Sequence, residues 1–177
     1  PSPKLWLKNV AEGYRKHADG ESEEWLDGVL LLVKNFAVDA SLEIKQALKI
    51  LELFDVPYQK YSANYLYFEK MAEQIFALAD SNNWDDLYEL VSNLNPPKVT
   101  NLKKEEKTQE VEASIKLRDS VKGYLTKIKD AVYTNKQGIA EQTKYLYQFI
   151  LKIIEIVNRF ENELYSLLKD NDLITFY

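Results

Sequence analysis

The sequence predicts an all-α protein, a multi-helix bundle with a long C-terminal helical hairpin, and three observations carry that expectation. Leu146, Ile150, Ile153, Val157, Phe160, Leu164 and Leu167 follow one another at spacings of 4, 3, 4, 3, 4 and 3, a heptad seam along one stripe of a helix. Elsewhere apolar residues recur at helical spacing, and no segment shows strand alternation between turn signals. Breakers are sparse, with 5 Gly and 5 Pro in 177 residues and none after Gly138.

In chain order, Leu5, Leu7, Val10, Ala11 and Tyr14 give a weakly helical first stretch, ended by the turn residues of 18–22. Ser22 suits the cap of a second helix, and Glu23 and Glu24 suit the positive end of its dipole. That helix carries Trp25, Leu26, Val29, Leu30, Leu32, Val33 and Phe36, apolar nearly all round, and is expected to be deeply buried. Gly28 within it is expected to allow a close helix crossing. Asp39 or Ser41 is expected to cap a third helix through Leu42, Ile44, Ala47, Leu48, Leu51 and Leu53, with Pro57 at the next boundary.

An aromatic-rich helix follows over 58–80, with Tyr61, Tyr65, Phe68, Ala72, Ile75, Phe76 and Ala79 at helical spacing. Its tyrosines have the π-faces that stack on bases, but the spacing favours core packing. Asn83 and Asp86 form a capping box for a short helix over 84–94. Residues 95–107 then hold two prolines, four lysines and no apolar period, an exposed linker. Val111, Ile115, Leu117, Val121, Leu125, Ile128 and Val132 resume a helix, and Thr134, Asn135 and Gly138 turn it into the heptad helix. So short a connection predicts an antiparallel hairpin. The expected length of the heptad helix is roughly 45 Å at ~1.5 Å per residue. Ile154, Leu151 and Leu168 widen its stripe, which predicts a core helix gripped on more than one side.

The expected organisation is a single helical domain over 1–177. Within it lie an N-terminal lobe at 1–94, a basic Pro/Lys linker at 95–108 and the hairpin at 109–177. The sequence opens Pro1-Ser2-Pro3 and its one Met is Met71, so the expectation is a piece of a longer protein. There is no Cys, which excludes disulfides and thiolate metal sites and fits a reducing, cytoplasmic compartment. No apolar run approaches the ~18 residues of a membrane span, and no membrane partner is expected.

Catalytic equipment is thin. The five glycines are isolated, which excludes a phosphate-cradling or dinucleotide loop, and His17 stands alone, which excludes a His-based zinc site. Paired carboxylates such as Asp85-Asp86 sit at helix starts, where capping accounts for them. No catalytic, cofactor or metal residue is assigned in this chain, and it is not expected to be an enzyme by itself.

Charge is uneven within the net −5. Residues 1–95 carry 9 basic and 16 acidic side chains, residues 96–136 carry 10 and 6, and residues 137–177 carry 4 and 6. A basic middle inside an acidic chain is a candidate anion-facing patch.

Several stretches together resemble a known family. Residues 14–27 resemble a segment of AddA-type helicase–nuclease proteins whose Glu-x-Trp-Leu core falls here at Glu23, Trp25 and Leu26, with Gly20 and Ser22 where prolines are usual. Trp84-Asp85-Asp86-Leu87-Tyr88, the lysine-bearing linker and Leu117-Arg118-Asp119-Ser120-Val121-Lys122 resemble that family's acidic helix, Lys-Lys linker and Leu-Arg-x-x-x-Lys helix. Residues 167–177 resemble the approach to the superfamily 1 helicase Leu-Asp-Phe-x-Asp-Leu motif, with Thr175 in place of the first Asp.

The resemblance implies a helical 1B-type insertion of an AddA- or RecB-like (UvrD-like superfamily 1) ATP-dependent DNA helicase and exonuclease, acting in double-strand break repair and recombination. It implies ATP and Mg in the parent protein but no cofactor here. Implied partners are a DNA duplex or fork read without sequence specificity, the remaining motor and nuclease domains, and a second helicase–nuclease subunit. Contact would be to phosphates, through Lys98, Lys103, Lys104 and Lys107 in the linker with Lys116, Arg118 and Lys122 in support. The alternative is a helical protein–protein interaction module without nucleic-acid binding.

Overall fold

The computed structural model describes residues 3–19 and 24–170. The turn over 20–23 with its Ser22 cap, and the segment 171–177, lie outside the described residues. Within them the chain forms α1 (Pro3–Ala18), α2 (Glu24–Leu51), α3 (Asp55–Asp80), α4 (Trp84–Ser92), α5 (Gln109–Ala131) and α6 (Lys136–Asp170). One 3-10 turn, Lys104–Glu106, lies between α4 and α5, and no strand occurs among the described residues. The all-α expectation holds. The helices group into two compact units, one of residues 24–136 with α2 to α5, the other of α1 and α6.

In the larger unit α2 is the centre, packed along both α3 and α5. Leu26, Leu30, Val33, Ala37, Ala40, Ile44, Ala47 and Leu51 form its buried stripe. The stripe stays in phase past Asp39 and Ser41, and no Gly or Pro lies between them, so α2 is one helix and the cap expected there does not form. The break falls instead at 52–54, and Pro57 sits in the first turn of α3, where a missing N–H has no helical partner to lose.

Two other expectations for α2 fail. Trp25, Leu31, Leu32 and Val38 are exposed, because burial follows one stripe and not the whole circumference. A Cβ on Gly28 would meet nothing within 4 Å, so Gly28 permits no close crossing.

Facing α2, α3 buries Tyr61, Tyr65, Phe68, Ala72, Ile75 and Ala79, and α5 buries Val111, Val121, Leu125 and Ile128. Ser114 Oγ donates to the Ala47 carbonyl at 2.9 Å and lies 3.3 Å from the Tyr65 hydroxyl, so the one small polar residue in this seam is satisfied. The expected Asn83 cap forms, accepting from the Asp86 N–H at the start of α4. Thr108, not singled out in the sequence, accepts from the Val111 N–H at the start of α5. Trp84 is 1% exposed and its indole N–H donates to the Thr134 carbonyl at 2.8 Å, which makes it an anchor rather than a stacking surface.

In the smaller unit, Lys4 of α1 pairs with Glu161 of α6 at 3.6 Å, and Ala11 is buried. Of the heptad seam, Ile150 and Val157 are half-buried while Leu146, Ile153, Phe160, Leu164 and Leu167 are exposed. The expectation of a core helix gripped on several sides is not met. At ~1.5 Å per residue, the 16 residues of α1 span roughly half the length of the 35-residue α6.

Candidate nucleic-acid interface

The segment between α4 and α5, expected to be an exposed linker, is exposed over most of its length and is also fastened to α3 as a strap. The Tyr67 hydroxyl accepts from the Asn95 N–H at 2.8 Å. Asn64 Nδ2 donates to the Pro97 carbonyl at 2.7 Å, and Lys60 Nζ reaches Glu106 Oε2 at 2.6 Å. Residues 60, 64 and 67 lie on one face of a helix, so the strap runs back along that face against the direction of α3. Leu102 is buried and pins its middle.

Fastening leaves the lysines outside. Lys98, Lys103, Lys104 and Lys107 are all exposed, on a backbone held at three points. Glu106 is turned inward, where the Lys60 ammonium first, and the Lys103 N–H second, hold its carboxyl below the usual carboxylate range. That carboxylate is neutralised against α3 and subtracts little from the outer face of the strap.

Of the supporting residues on α5, Lys122 joins this surface, and a groove of about 210 Å³ shows how. Phe68 and Leu94 line it together with Pro96 of the strap, and Lys122, Thr126 and Lys129 of α5 stand along it. The groove therefore sets Lys122 and Lys129 beside the start of the strap. Lys129 was missed in the sequence, although its spacing of seven from Lys122 is the signal for a shared helix face. Lys116 is exposed but stands about 120° around α5 from Lys122 and does not line the groove.

Arg118 is not a surface cation. It is 6% exposed, with its guanidinium carbon 5.5 Å from the centre of the Tyr61 ring and 5.9 Å from that of Tyr65. Its Nε and Nη2 both donate to Asp119 Oδ1, at 3.1 and 2.7 Å, and Lys122 Nζ donates to the same oxygen at 3.1 Å. Arg118 falls in the buried series Ser114, Arg118, Val121, Leu125, which removes it from solvent. Partial burial alone would raise the Asp119 pKa, but the hydrogen bonds from Arg118 and Lys122 outweigh that and hold it below its ordinary value.

Among the described residues no group of three or more His, Cys, Asp or Glu is placed to hold a metal, and no helix is long and apolar enough to cross a membrane. What the strap surface offers chemically is fixed ammonium charge on a braced backbone.

No family model matches the chain, and no solved structure matches it. Two curated proteins do. The chain is 26% identical to an ATP-dependent helicase/nuclease subunit of Clostridioides difficile (strain 630), over 99% of this chain and 14% of the relative. It is 26% identical to the protein of the same description from Clostridium acetobutylicum, with the same coverage of both. The chain thus spans 14% of the length of these relatives. The matches relate it to a segment of the ATP-dependent helicase/nuclease proteins.

Proposed function

We propose that this chain is a DNA-contacting accessory domain, of the helical 1B type, in an ATP-dependent helicase–nuclease acting in double-strand break repair and recombination. The observation that carries the contact surface is the strap, which presents Lys98, Lys103, Lys104 and Lys107 outward while three hydrogen bonds hold it to α3. Lys122 and Lys129 extend the surface onto α5. Such a surface neutralises phosphates and reads no bases, so affinity comes from counterion release and falls with salt. ATP and Mg chemistry belongs to the rest of the parent protein in this reading. The domain's other partners are then the parent's motor and nuclease domains, together with a second helicase–nuclease subunit.

Binding of a labelled duplex with a single-stranded tail, followed by anisotropy at two salt concentrations, tests the reading. The Lys98/Lys103/Lys104/Lys107→Ala variant should bind more weakly, with a smaller loss on adding salt. Equal binding by variant and wild type at both salt concentrations would remove the strap as the contact surface.

A further inference from the structure

A second concave surface lies between α3 and α4, with the opposite charge. Met71, Ala77 and Leu78 of α3 and Leu90 of α4 line a groove of about 570 Å³, and Asp86 and Glu89 are the charged groups on its lining. No Lys or Arg lines it. Its lining residues recur at helical spacing over two turns of each helix, so the two helices flank it side by side. The inner face of α4 is already used, because Trp84, Leu87 and Val91 are buried. Leu90 and Glu89 belong to a second face of the same helix, and among the described residues no other element of this unit lines the groove. Ala77 places only a methyl in the groove floor, and Gln74 beside it is exposed.

We propose that this groove docks an amphipathic helix of a protein partner, with apolar side chains at helical spacing on its inner face and Lys or Arg on its flanks. Two packed helices leave between them the site where the ridges of a third helix fit, and the apolar lining asks for such a ridge. Charge chooses the flanks. Asp86 is fixed by Asn83, whose Nδ2 donates to Asp86 Oδ2 at 2.6 Å, a neutral partner that orients the carboxylate and leaves its charge. Glu89 adds a second carboxylate one turn on, on the same face. Nucleic acid is repelled by this pair, and a basic helix is steered to it. The proposal does not depend on the strap binding DNA.

The test is selection of helix-forming peptides from a displayed random library on the whole chain, with counter-selection on Ala77→Arg. Anisotropy of the enriched synthetic peptides then follows. Ala77→Arg puts a cation in the floor and Gln74→Trp fills the groove, both from exposed positions, and circular dichroism must show unchanged helix content and melting. The expected result is a shared pattern of apolar residues at helical spacing with Lys or Arg beside them. Affinity should fall about tenfold or more in either variant, and Asp86→Asn with Glu89→Gln should weaken binding and flatten its salt dependence. The Lys98/Lys103/Lys104/Lys107→Ala variant should bind these peptides as the wild type does. Enrichment of peptides without basic residues, enrichment of none, or binding indifferent to Gln74→Trp would overturn the proposal.

Discussion

Asn64 Nδ2 donates to the Pro97 carbonyl at 2.7 Å, and through this bond a segment with no helical or strand period becomes part of the body of the protein. Asn64 is 5% exposed while Pro97 is exposed, so the bond sits at the edge of the core, partly shielded from water. Asn64→Ala should lower stability by about 0.5–1.5 kcal/mol, the net worth of one hydrogen bond, read as a shift in the urea midpoint at unchanged slope. Amide exchange over residues 95–103 should speed up before that of the α2 core. Unchanged exchange there would mean that the strap is held without Asn64.

Arg118 gives the second prediction. Its guanidinium packs against Tyr61 and Tyr65, and Asp119 takes two of its nitrogens. Arg118→Lys keeps the charge but loses the planar fork, and should destabilise the protein by about 1–2 kcal/mol, the scale of a desolvated cation–π contact. Duplex binding by the folded fraction should stay at the wild-type level. A selective loss of binding without loss of stability would make Arg118 a DNA contact after all.

A third prediction concerns pH. Asp119 has its pKa lowered in the folded chain, so it contributes stability that is present above its unfolded value, ~3.9, and is lost as pH falls through the lower folded value. Urea midpoints of wild type and Asp119→Asn should therefore differ at neutral pH and converge below about pH 4. A gap that stays constant into that range would show that the carboxylate charge is not what Arg118 and Lys122 hold.

Gly28 and Gly123 lie inside helices with open space where a Cβ would stand. Each change to Ala should stabilise the protein by about 0.5–1 kcal/mol, through helix propensity and a smaller unfolded-state entropy. Thermal melting checks it, and a lower midpoint for Gly28→Ala would reveal a contact at that position.

The sequence made some of this legible and hid the rest, for identifiable reasons. The Asn83 cap was readable because a capping box acts over three residues. The continuity of α2 was hidden because Asp39 and Ser41 are good caps as residue types, and only the phase of Ala37, Ala40 and Ile44 shows the helix running through. The strap was hidden more deeply. Asn64 and Tyr67 bind main-chain atoms about thirty residues away, and such a bond leaves no period in the chain. Arg118 has the charge of a surface contact, but its place between Ser114 and Val121 on the buried face of α5 decides its role. The exposed seam of α6 shows the converse, that a heptad stripe states what a helix offers and not what covers it.

The most direct test of the strap as a phosphate-binding surface is the slope of log binding constant against log salt concentration for a duplex with a single-stranded tail. It would be measured for the wild type, for single Ala changes at Lys98, Lys103, Lys104 and Lys107, and for Lys122→Ala with Lys129→Ala. Each lysine that neutralises a phosphate should reduce the slope by about 0.9 when removed, while Lys116→Ala, outside the groove that joins α5 to the strap, should leave it unchanged. Slopes that stay at the wild-type value in the strap variants, or that fall only with Lys116, would contradict the account.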